Sequence, residues 1–387
     1  MIMKILFCHD GPLYKNELNE YYSVGFNDTL FNRYSLLSND ITVAMRVYFN
    51  KNDNIQSSQL LSKKYKVIEC FNICSLNGFI FDRKKCKKLI DEQMYKADFA
   101  IIRLPSFIGN IAISCAQKYK KPFIVELVGC PWDSLWNHGI IGKILAPYLF
   151  FTTKREIKES KYVVYVTNNF LQKRYPNDKF NIGCSDVDLS RNTEFGLNTR
   201  QLNKNKKLII GTLGIIDVPY KGQEYVIKAI SQLKKEGYNL EYQIAGPGNK
   251  SRLQKIAKRY GVIDDVIFLG SIPHDDIYKW LGKLTFYIQP SMTEGMPRAL
   301  LEAMSVGCVC IGSDAGGIPE LLDRKMVFKK GRYQEIAKII NLIDIREYNS
   351  QRKKNLEKIK EFNYSFLQSK REKFYKKFIA NEFNGRK

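Results

Sequence analysis

Residues 285–322, TFYIQPSMTEGMPRALLEAMSVGCVCIGSDAGGIPELL, constrain the fold more than any other part of the chain. Two short apolar runs, Thr285 to Gln289 and Cys308 to Ile311, read as buried parallel strands, being brief, rich in branched or aromatic residues and bounded by Gly, Pro or Ser. Each leads into a helix. The first is expected to begin at Pro297, where a missing N–H costs nothing, and to stop at Gly307, a favoured left-handed cap; Pro319 opens the second in the same way. Both turns place helix N-termini at the carboxyl edge of a parallel sheet, where open α/β folds bind ligands and phosphate.

Glu294 precedes the first helix and Glu302 lies in its second turn. A carboxylate aimed at a phosphate site repels phosphate, so its natural partners there are hydroxyls, which sugars carry. Read singly, Glu294 is equally a favourable charge near a helix N-terminus and Glu302 a solvated helix residue. Gly295 and the pair Gly316 and Gly317 favour the site reading.

The string EGMPRALLEAM followed by GSDAGGIPELL resembles the donor-site signature of retaining glycosyltransferases of family 4. That resemblance implies the GT-B fold, an α/β architecture of two Rossmann-like domains facing across a cleft. It puts Glu294, Gly295 and Met296 on the transferred sugar and Glu302 on the nucleotide ribose. Lys221 before Gly222 is similar to the family's Lys-Gly at the head of a helix, which implies that Lys221 binds the donor diphosphate. Gly214 lies in the turn before it. Gly246 is implied beside the phosphates, the backbone of Ile267 and Phe268 at the base, and Ser291 on the way into the donor loop. The family's additional Arg aligns with Ile215, so Lys221 is left to act with Arg298 or the helix termini. The resemblance is strong from about Leu208 to Leu322 and architectural before that.

In the N-terminal half, Lys4 to Cys8, Val43 to Arg46, Val67 to Cys70, Phe99 to Leu104, Phe123 to Val128 and Tyr162 to Thr167 alternate with helical segments, a doubly wound pattern. Gly11 is expected in a loop facing the cleft, on the donor side. Where many family members have a His that holds the reacting sugar, this chain has Gly129, and Asp133 and His138 are the two candidates for that role. The family's Asn-Gly-Val-Asp appears as CSDVDL, with Val187 and Asp188 kept and Ser185 and Asp186 substituted. The expected domains are 1–195 on the acceptor side, 206–362 for the donor, and a last helix, 363–387, crossing back with an aromatic stripe that includes Phe366, Phe374 and Phe378. The polar stretch Arg191 to Lys207 marks the boundary.

At 387 residues the chain accommodates two domains, and no run of about 20 uncharged apolar residues exists to span a bilayer. The N-terminus reads as a strand rather than a leader. Nine cysteines without CxxC spacing read as reduced thiols of a cytoplasmic protein. The net charge of +23 calls for an anionic partner. Ile140 to Lys158 mixes apolar residues with Lys143, Lys154, Arg155 and Lys158, as in an interfacial helix on anionic lipid or a core helix with a basic end; the basic run Arg83 to Lys88 adds to that charge. No zinc, RRM or helix-turn-helix pattern supports nucleic acid.

The resulting expectation is retaining transfer of a sugar from a UDP- or GDP-linked donor to a saccharide or lipid-linked saccharide acceptor, in bacterial surface polysaccharide synthesis, by a cytoplasmic protein peripheral to the inner membrane face. The donor is a substrate, and neither a metal nor a cofactor is implied. The alternative is a nucleotide-sugar binding protein or epimerase of the same fold.

Overall fold

The computed structural model describes residues 3–49, 59–136, 139–187, 189 and 202–384. The first sheet contains β1 (Lys4–Lys15), β2 (Tyr21–Ser23), β3 (Asp40–Phe49), β4 (Gln59–Leu60), β5 (Lys66–Cys70), β6 (Phe99–Leu104), β7 (Phe123–Leu127), β8 (Tyr162–Tyr165) and β9 (Phe180–Gly183). Its parallel strands run in the order β5-β3-β1-β6-β7-β8-β9, and β2 and β4 add an antiparallel flap. The second sheet is wholly parallel, in the order β12-β11-β10-β13-β14-β15. Its strands are β10 (Leu208–Leu213), β11 (Leu240–Ala245), β12 (Val266–Gly270), β13 (Phe286–Gln289), β14 (Val309–Ser313) and β15 (Val327–Phe328).

All six residues of β6 are buried, because a parallel sheet carries helices on both faces and leaves no strand residue for water. Successive side chains divide between the two layers. Leu6, Cys8, Ala100, Ile102 and Val125 pack with the helices Arg83–Lys96, Phe107–Lys118 and Gly139–Glu159. Ile5, Phe7, Phe99, Ile101 and Ile124 face the opposite side, which the last helix, Tyr364–Glu382, covers with Leu367, Phe374, Tyr375 and Phe378. Phe378 meets Tyr162 edge to face at 4.9 Å and Phe99 at 5.2 Å. This helix joins the two ends of the chain. Phe366, expected in its aromatic stripe, faces solvent instead.

Several boundaries differ from the sequence reading. β1 continues to Lys15, held by β3 along its length and by β2 at its end, with a register shift between His9 and Leu13. Gly11 therefore lies inside a strand, not in a cleft loop. Its N–H donates to His9 Nδ1 at 2.7 Å, and the Phe26 ring occupies the place of a Cβ. The helix expected from Pro297 spans Arg298–Ser305 with Pro297 as its cap. Residues 191–201 of the expected boundary stretch fall outside the described residues, as do His138 and Asp188. Eight cysteines are buried and Cys74 is exposed, all with free thiols. Among the described residues, no helix is long and apolar enough to cross a membrane.

Candidate active site

The carboxyl ends of β10 and β13 bring Lys221, Gln289, Ser291 and Glu294 together. Lys221 ends a 3-10 turn, Pro219–Lys221, and Gly222 (φ +75°) redirects the chain into the helix Gln223–Lys235. Glu294 Oε1 accepts hydrogen bonds from Lys221 Nζ at 2.7 Å, Ser291 Oγ at 2.7 Å and Gln289 Nε2 at 3.1 Å. Gln289 is set in turn by Tyr287, whose hydroxyl donates to its Oε1 at 2.6 Å. A carboxylate with three donors on one oxygen has a fixed direction.

Backbone contact fixes the donor loop as tightly as the side chains do. Gly316 adopts φ +56°, and a Cβ there would lie 1.9 Å from the Glu294 carbonyl oxygen. Gly317 N–H donates to the Gly295 carbonyl at 2.9 Å. Gly295 touches the other domain: a Cβ on it would stand 2.4 Å from the Val128 carbonyl. Since Val128 directly follows β7, the carboxyl edges of the two sheets face each other here. Gly214 and Gly246 use their N–H groups within the sheet edge, on Ala245 and Gly270.

Glu302 lies on the inner side of its helix with 3% exposure, not on a solvated face. Burial pushes its carboxyl up to about 7, and the Arg298 guanidinium opposes that rise. The Arg298 guanidinium also helps lower the carboxyl of Asp186 in the first domain. Met296 is buried beside this loop. Ile267 and Phe268 sit apart on the edge strand β12, paired with Gln243 and Ile244. Ile215, where the resemblance calls for Arg, is 45% exposed, and its carbonyl accepts from Gln223 Nε2.

On the facing wall, Asp133 lies in the helix Pro131–Trp136 and accepts from Arg174 Nη1 at 3.2 Å. Behind it the structure places a network that sequence reasoning missed. Arg103 contacts Asp186 and stands 3.7 Å from Glu126, which also accepts from the Tyr34 hydroxyl; Arg33 donates to the Asp186 carbonyl. Burial favours neutral Asp186, but Arg103, Arg33 and Arg298 hold its carboxyl below the usual range. Sequence reading also missed Glu320. From the second domain it accepts the N–H groups of Asn168, Asn169 and Phe170 at 2.7, 3.0 and 2.5 Å, at the start of the helix Phe170–Arg174. Asp186 was visible only as a departure from a motif, and Glu320 only as an acid after Pro319.

Two Rossmann-like domains whose carboxyl edges meet around a cation–carboxylate pair define a GT-B transferase. Residues 197–359 match the family described as Glycosyl transferases group 1. Protein CapJ of Staphylococcus aureus is 34% identical over 98% of this chain and 97% of its own length. The amylovoran biosynthesis glycosyltransferase AmsK of Erwinia amylovora is 34% identical over 31% of this chain and 32% of its own. Among solved structures, HepE of Anabaena in complex with UDP-glucose covers 97% of this chain and 100% of its own, with a TM-score of 0.64 and 15% identity, a likeness of fold. The chain belongs to the group 1 glycosyl transferases and is a glycosyltransferase.

Proposed function

We propose that the protein transfers a sugar, with retention at the anomeric carbon, from a UDP- or GDP-linked donor to a saccharide acceptor carried on lipid during synthesis of a bacterial surface polysaccharide. The observation that carries this reading is the Lys221–Glu294 pair, held in place by Ser291 and Gln289 at the meeting of the two sheet edges. In the free protein the two charges neutralise each other. An entering diphosphate recruits the Lys221 ammonium, and Glu294, still held by Ser291 and Gln289, turns its lone pairs to hydroxyls of the sugar. Lys221 and the helix N-termini then stabilise charge developing on the leaving diphosphate.

Glu302 supports the ribose assignment. It is a buried carboxyl that burial keeps from ionising readily, and two sugar hydroxyls are the donors that would relieve it. Acceptor-hydroxyl attack occurs on the face the diphosphate leaves, whose oxygen takes the proton. The names of AmsK, an amylovoran biosynthesis glycosyltransferase, and of HepE in complex with UDP-glucose support the polysaccharide and nucleotide-sugar parts of the proposal.

The test is a panel of UDP- and GDP-sugars, scored first by protection against thermal unfolding and then by release of the nucleoside diphosphate with lipid-linked saccharide acceptors. A donor that protects and an acceptor that triggers release are the expected result. Sugar conversion without any acceptor would reassign the chemistry to epimerisation. Inversion at the anomeric carbon would overturn the stereochemical part.

A further inference from the structure

The helix Gly139–Glu159 has two unlike faces. Gly142, Ala146, Leu149, Thr153, Glu156 and Ile157 are buried against the first domain. Opposite them, Ile140 (79% exposed), Ile144 (71%), Tyr148 and Phe151 (67%) point to solvent. At about 100° per residue these four fall within roughly 80° of one another. They form one stripe, because spacings of four, four and three residues return to the same side of a helix. Lys143 and Lys154 flank the stripe on one side, while Arg155 and Lys158 extend its line toward the helix end; all four are exposed. Trp136, just before this helix, is exposed and lies under the Lys143 ammonium at 5.7 Å.

A second patch has the same composition. Ile80 and Phe81 end the helix Leu76–Phe81 in solvent, and exposed Lys84, Lys87 and Lys88 follow on the helix Arg83–Lys96. Both patches are on elements that follow strands of the first sheet, β5 and β7, and so begin at its carboxyl edge. Their helices share one layer, since the crossovers from β5 to β6 and from β7 to β8 run in the same direction along the sheet and right-handed crossovers then fall on one face.

We infer that this face docks on an anionic lipid bilayer, with the stripe Ile140, Ile144, Tyr148 and Phe151 entering the headgroup boundary and the flanking cations meeting lipid phosphates. Branched aliphatic and aromatic side chains between lysines suit the boundary of hydrocarbon and charge. A second copy of this chain is the poorer occupant, because its face would set Lys143, Lys154, Arg155 and Lys158 against themselves. The net charge of +23 extends the attraction beyond the stripe. The contact deepens the lipid-linked part of the functional proposal: it would hold the carboxyl edge of the acceptor domain at the membrane, where a lipid-borne saccharide is presented.

The test is sedimentation of the full chain with phosphatidylcholine vesicles with and without phosphatidylglycerol, in the absence of donor and acceptor, so that binding and transfer are scored separately. The expected result is partition onto anionic vesicles only, weakened by salt. Ile144→Glu combined with Phe151→Glu should release the protein more than tenfold with its thermal unfolding unchanged, since both side chains are already in water. Lys154→Gln and Lys158→Gln should each weaken partition roughly fivefold. Failure of the wild type to bind anionic vesicles, or undiminished binding by the double glutamate variant, overturns the proposal. Lipid-free self-association abolished by that variant would assign the face to a second copy instead.

Discussion

The two walls of the cleft are built by different means. On the donor wall, Gln289, Ser291 and Glu294 lie within six consecutive residues, and Lys221 arrives 73 positions away from Glu294 on the 3-10 turn that follows β10 of the same sheet. On the acceptor wall, Tyr34 meets Glu126 across 92 positions, Arg103 meets Asp186 across 83 and Arg33 meets it across 153. The donor wall is a local loop braced by glycines; the acceptor wall is a buried ion network assembled from distant segments. On the proposed reading, function concentrates in the first and fold specificity in the second, and substitutions should separate the two.

The largest effect is expected at the donor wall. Lys221→Ala and Glu294→Ala should each lower kcat/KM by about three orders of magnitude or more, as loss of charge stabilisation does, with an unaltered unfolding curve. Wild-type-like turnover in either would sink the assignment. Arg103→Ala should do the reverse, costing about 3–5 kcal/mol of stability in urea titration by stranding Asp186 and Glu126 in the interior. If it loses activity with stability intact, the two walls are not distinguished as argued.

A smaller effect separates the two donor-site carboxylates. Glu302 ionises near 7 in the free protein instead of 4.5. Hydroxyl donors favour its ionised form, so nucleotide-sugar affinity should be full above pH 7 and fall as pH drops through 7, by at most about tenfold per unit. Glu302→Gln should flatten that profile in a calorimetric titration. The smallest effect belongs to the contact that ties the walls together. Glu320→Ala removes the acceptor of three backbone N–H groups and should cost about 1 kcal/mol, with faster hydrogen exchange at Asn168 to Phe170.

The donor wall was legible because each of its parts leaves a mark within a short window. Lys221 stands before Gly222, and Glu294 before Gly295 and Pro297, so both ends of the key ion pair were named without knowing that they touch. Gly11 shows where such reading fails. A glycine and a proline after four apolar residues look like a loop, yet pairing with β2 and β3 keeps the strand running through them. The helix Gly139–Glu159 was readable as either an interfacial or a core helix; the structure buries one face against the first domain and leaves an apolar face exposed.

The sequence by itself determined the alternation of strands and helices, the glycine-braced loop with its carboxylate Glu294, and the lysine before Gly222, because strand periodicity, helix caps and tight turns are settled by neighbours along the chain. Only the tertiary structure decided that Arg103 pairs with Asp186, that Glu320 reaches into the other domain, and that one apolar stripe of Gly139–Glu159 stands exposed among the described residues. A charged partner or a packing surface is chosen by where the chain returns in space, and nothing in a local window records that return.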